Sequence, residues 1–151
     1  MTQAAALGDL QGRLGHAFHD PDLLARALTH PSYAHEHPPT PHNEALAFLG
    51  DAVLSLLVAE WLLARTPEDG AGPLTQRRAA LVSDRNLAAW AARLGVPDRL
   101  RLGRGEEQSG GRGKESILAA ALEAVVAAVY LDAGLEPARR LVAALAGVES
   151  P

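Results

Sequence analysis

Two stretches of this chain are too apolar to lie on the surface of a protein. Residues 52–64 are apolar apart from Ser55 and Glu60, and residues 117–131 carry a single charge, Glu123. A helix with one apolar stripe can rest on a core, whereas one that is apolar all round must be surrounded. No uninterrupted apolar run approaches the ~18 residues that a membrane span requires. We therefore expect no membrane partner and place both stretches at the centre of a helical protein. Composition agrees: 48% of residues are apolar but only 4% aromatic, so the core is built from Ala, Leu and Val, and the first two are strong helix formers.

The rest of the chain reads as shorter helices around these two, about seven in all. Leu7, Leu10 and Leu14 mark one over residues 4–14. Asp20-Pro21 starts a second, which Pro31 is expected to end. Residues 30–42 hold four prolines and read as a rigid irregular connection. Asn43 is a suitable N-cap for a helix running to about residue 65. Further helices are expected over residues 74–82, from Ser83 or Asp84 to Gly95, from 114 to 133, and after Glu136-Pro137. At 151 residues, a single domain over 1–151 is the expectation.

Two acids stand where burial is expected, Asp51 and Glu123. Carboxylates are almost never buried unless they are paired or bound to a metal. If their helices lie side by side, the two can converge on a hard cation such as Mg²⁺; otherwise each reaches a solvent edge or an arginine. Glu44 lies seven residues before Asp51, about 20° away around a helix and roughly 10 Å along it. Ala47 lies between them on the same stripe.

Other chemistries find less support. There are no cysteines, which excludes disulfides, zinc–thiolate sites and a cysteine nucleophile; their absence fits a cytoplasmic protein. Neither a Gly-x-Ser-x-Gly elbow nor a Walker-type phosphate loop is present. His30, His35, His37 and His42 could hold a transition metal, but their spacing resembles no zinc motif and a solvated loop accounts for them equally well. The net charge of −4 is not that of a strongly basic nucleic-acid binder. Arg101, Arg104, Arg112 and Lys114 lie in or next to a glycine-rich connection. They form either a solvated loop or a local patch for phosphates.

The run Asn43-Glu44-Ala45-Leu46-Ala47-Phe48-Leu49-Gly50-Asp51-Ala52-Val53-Leu54 closely resembles the signature of the ribonuclease III endonuclease domain. Further blocks follow in the family's order: residues 27–34, 74–83, 102–107, 116–119 and 128–135. The resemblance implies an all-α fold and a homodimer acting on double-stranded RNA. It also implies an acidic cluster holding Mg²⁺ or Mn²⁺ for phosphodiester hydrolysis in RNA processing. Phe48 falls where the family places a dimer-interface phenylalanine; without the resemblance, a core position would be the ordinary reading.

The chain departs from the family pattern at the cluster itself. Asp51 and Glu123 match two expected metal ligands, but Ala47 stands where the first motif has Glu and Ala120 where the later helix has Asp. Ala71 stands where a further acid is often found, and no double-stranded-RNA-binding domain is expected after residue 151. Two readings follow: a metal-dependent endonuclease with a weakened site, or a catalytically inactive dimer that binds duplex RNA or another protein.

Overall fold

The structure, a computed structural model, describes residues 2–149. Among these it has nine α-helices and no β-strand: α1 (Gln3–Leu14), α2 (Pro21–Ala27), α3 (Pro31–Glu36), α4 (Glu44–Arg65), α5 (Ala71–Leu81), α6 (Asp84–Leu94), α7 (Arg104–Gln108), α8 (Glu115–Ala133) and α9 (Leu135–Glu149). Short 3-10 turns occur at Pro97–Arg99 and Gly111–Gly113.

The axis of the fold is α8, which packs against α4, α6, α9 and α2. From residue 117 to residue 129, every α8 position is buried except Ala120 and Glu123, which are half-buried. Its alanines let neighbouring helices approach closely. By length and composition alone α4 and α8 could each cross a membrane; the enclosure of residues 117–129 accounts for the apolarity of α8, whereas α4, expected to be surrounded, keeps an exposed apolar face because α8 covers only one side of it. The two backbones nearly touch at Gly50, where an added Cβ would lie 1.7 Å from the backbone oxygen of Glu123.

Two helices are additional to the expected seven. Pro31 does not terminate α2, which ends at Ala27; it opens α3. A proline in the first helical turn sacrifices an N–H that has no helical partner there. The His30 ring nitrogen accepts from the Ser32 N–H at 3.1 Å and caps this turn. The glycine-rich connection likewise holds α7. Asn43 precedes α4 but makes no side-chain cap. It is buried, and its Nδ2 donates to the Ala27 carbonyl at 3.0 Å, tying the start of α4 to the end of α2.

A second tie closes the far end of α8. The Asp132 side chain, only 2% exposed, accepts from His16 Nε2 at 2.8 Å and from the backbone N–H groups of His19 and Asp20, each at 2.9 Å. Burial alone would raise this carboxyl, but these donors hold it well below the usual carboxylate range. Asp132→Ala leaves two backbone donors without that acceptor and is expected to destabilise the fold by about 2–4 kcal/mol, measurable by urea unfolding at pH 7. The folded carboxyl titrates below its unfolded value, so the contribution is complete above about pH 4 and fades as the pH falls further.

Candidate active site

Ala120 and Glu123 open a window in the otherwise buried face of α8, and α4 borders it. Gly50 is buried against the Glu123 backbone, Ala47 is half-buried and Asp51 is exposed. With no Cβ at position 50, the two backbones meet and the next residue, Asp51, is brought beside the Glu123 side chain. Burial, followed by the adjacent Asp51 carboxylate, pushes the Glu123 carboxyl up to about 7. Asp84, at the start of α6, adds a smaller push.

The sequence-based convergence of Asp51 and Glu123 is thus present as geometry. Ala47 and Ala120 border the same opening and contribute methyl groups in place of oxygens. Glu44 is exposed about two helical turns before Asp51. Among the described residues, no group of three or more His, Asp or Glu side chains is arranged to hold a metal ion, the loop histidines included. Asp84 is the residue that pattern reading missed. It stands in a different block of the chain, behind the capping Ser83, and only the packing of α6 on α8 relates it to Glu123.

This carboxyl pair has a testable electrostatic consequence. Glu123 binds its proton more tightly in the folded chain than in the unfolded one, so stability contributed by the protonated form is lost as pH rises from about 4.5 through about 7. Glu123→Gln removes that loss. Without divalent cations, the variant is expected to match the parent at pH 5 and exceed it by about 1–2 kcal/mol at pH 8, allowing for partial solvent screening. Thermal melts at the two pH values check this, and equal differences at both would contradict it.

The four cationic candidates separate clearly. Arg101 donates from Nε to Thr29 Oγ1 at 2.9 Å and lies over the Tyr33 ring. Arg112 grips both Glu107 oxygens and donates to the carbonyls of Pro97 and Leu100 at 2.8 and 2.9 Å. Lys114 pairs with Glu106 at 2.6 Å. These three brace the loop they occupy. Arg104 has an exposed side chain with no hydrogen-bond or ion-pair partner among the described residues.

Phe48 is not a core residue: it is 84% exposed. Leu56 and Leu63, also on α4, are 48% and 57% exposed. Helical geometry places the three within an arc of about 80°. This apolar strip runs beside the acidic window along the outer face of α4.

Comparison with known proteins gives this geometry a context. The model of the Ribonuclease-III-like family matches residues 20–146. Ribonuclease 3 of Heliobacterium modesticaldum is 52% identical over 141 residues, covering 92% of this chain and 60% of that protein. Ribonuclease 3 of Cereibacter sphaeroides is 50% identical over 147 residues, covering 97% and 63%. The chain therefore spans less than two thirds of these curated relatives. A crystal structure of the nuclease domain of ribonuclease III from Campylobacter jejuni superposes with a TM-score of 0.87 at 40% identity, covering 95% of each chain. Another structure of that domain, with a TM-score of 0.85 at 41% identity and coverage of 91% and 93%, is described for flexibility in a region involved in dimer formation.

Proposed function

This chain belongs to the ribonuclease-III-like family, and we propose that it is a nuclease domain for double-stranded RNA whose metal-dependent cleavage persists in weakened form. The supporting observation is the Asp51–Glu123 pair, held together by the contact at Gly50. Two adjacent carboxylates repel each other, and a divalent cation between them would relieve that repulsion. The pair suits Mg²⁺ or Mn²⁺, which one or two carboxylates can hold with waters completing the shell. When bound, such an ion supplies Lewis-acid stabilisation of a phosphodiester and an activated water.

The chain's own residues set the weakness. Ala47 and Ala120 offer no oxygens. Glu123, its carboxyl pushed up to about 7, must release its proton to act as a ligand. The exposed Arg104 side chain, without an ion pair among the described residues, supports it as a phosphate contact. The Phe48, Leu56 and Leu63 strip supports a second copy of the chain as partner, since an exposed apolar row of this kind marks an association surface.

The test is incubation of long duplex RNA with the protein and Mg²⁺ or Mn²⁺. Slow cleavage is expected, abolished by Asp51→Asn. No product at high protein and high Mn²⁺ would reject a catalytic role. The second reading, a catalytically inactive dimer that binds duplex RNA or another protein, is favoured by the lack of any three-ligand group among the described residues. It predicts salt-dependent retention of duplex RNA without products.

A further inference from the structure

A tight seam joins the start of α3 to the segment that leads into α7. Gly103 lies against the Ser32 backbone, where an added Cβ would be 2.7 Å from the carbonyl oxygen. The Gly103 N–H donates to Ser32 Oγ at 2.8 Å, and the next N–H, that of Arg104, donates to Glu36 Oε2 at 2.7 Å. The His30 N–H donates to the Arg101 carbonyl at 3.0 Å and closes the near end of the seam.

The His30 ring sets the direction of these bonds. Nδ1 is 3.1 Å from the Ser32 backbone nitrogen and 2.7 Å from Ser32 Oγ. A backbone N–H can only donate, so Nδ1 must present its lone pair, and the neutral ring carries its hydrogen on Nε2. Ser32 Oγ accepts from Gly103 and turns its own hydrogen towards Nδ1. The bonds therefore run from Gly103 N–H to Ser32 Oγ–H to His30 Nδ1, each polarising the next. A proton on Nδ1 breaks this order. It sets one N–H against another, leaves the Ser32 N–H without its acceptor in the first turn of α3, and reverses the bond to Oγ. The surroundings resist the charge as well. Burial holds the half-buried ring below the usual histidine range; Glu106 on α7 acts the other way, and His42 ahead of α4 and Lys114 ahead of α8 add to the lowering. Lys114 also engages Glu106, at 2.6 Å.

We propose that His30 is a pH-sensitive latch: the neutral ring caps α3 and, through Ser32, holds the Gly103–Arg104 segment, and the protonated ring releases both. Acid thereby loosens the loop that carries the exposed Arg104. The latch is independent of the nuclease reading. The folded chain binds this proton less tightly than the unfolded chain, so the stability it contributes is complete above about pH 6.5 and is lost as the pH falls.

The test is NMR on the intact chain. Ring nitrogen shifts should report the Nε2–H tautomer at neutral pH. Amide-exchange protection of Ser32, Gly103 and Arg104, corrected for the intrinsic exchange rate, should fall about tenfold between about pH 7.5 and about pH 5. His30→Asn keeps a capping acceptor that does not titrate and should hold all three protections constant over the same range. Ser32→Ala keeps the cap but cuts the link to Gly103, so Gly103 should be weakly protected at both pH values while the N–H of position 32 still responds to pH. Melting curves verify that both variants fold. The proposal is overturned by an Nδ1–H ring at neutral pH, by protection in the parent that does not change with pH, or by an equal fall in His30→Asn, which would assign the titration to His42, Glu36 or Glu106.

Discussion

Gly50→Ala is expected to destabilise the protein by at least about 3 kcal/mol, beyond the usual range for overpacking a core. The new Cβ would sit 1.7 Å from the Glu123 backbone oxygen, 2.4 Å from its carbonyl carbon and 3.0 Å from its Cα. All three are backbone atoms of a helix packed on several sides, so no side chain can rotate away to make room. The helices must separate, and the loss spreads along the α4–α8 contact. Alanine's better helix propensity acts in the opposite direction, but by only about 1 kcal/mol. Urea unfolding decides between the two. A neutral or stabilising Gly50→Ala would mean that the helices do not meet this closely. The same separation would draw Asp51 away from Glu123, so any folded variant should show Glu123 titrating closer to its ordinary range.

Gly50 also marks where sequence reading reaches its limit. The apolar run at 117–131 identifies α8 as enclosed because its amphipathicity is lost on all sides, a property local to the segment; the run at 52–64 misleads in part, since α4 packs on α8 by one face and leaves Leu56 and Leu63 exposed on the other. The pairing of Asp51 with Glu123 is similarly foreseeable, as two acids in such runs need a common explanation. What no periodicity conveys is which residues meet. A glycine within an apolar helix looks like a mild propensity defect until the opposing backbone is known. Arg101, Arg104 and Arg112 look alike in sequence. Only the fold reveals that Thr29 and Tyr33 hold the first, that Glu107 and two carbonyls hold the third, and that the second is left facing solvent. By residue type, Pro31 suggests a helix stop and Asn43 a helix cap. Pro31 instead starts a helix, and the Asn43 amide spans to Ala27 because α2 ends beside it. Residue type and spacing leave Phe48 open between core and surface, because its exposure depends on the face of α4 that α8 leaves uncovered.

The largest functional effect is expected from returning oxygens to the window. Positions 47 and 51 are one turn apart on α4, and 120 and 123 are one turn apart on α8, so each restored acid would stand beside an existing one. Ala47→Glu with Ala120→Asp should raise Mg²⁺-dependent cleavage of duplex RNA by about 100-fold or more, since even outer-shell support of a metal site is worth 10–100-fold. The reasoning carries a stability signature that cleavage alone does not. Four clustered carboxylates repel one another, so the double variant should be less stable than the parent when divalent cations are chelated. Added Mg²⁺ should then raise its melting temperature far more than the parent's, because binding to the folded state alone stabilises it. The single variants should each recover much less than half of the logarithmic gain, as neighbouring ligands act together. If the double variant melts at the same temperature with and without Mg²⁺ and cleaves no faster, the window does not hold a cation, and the inactive-dimer reading becomes the better account of the chain.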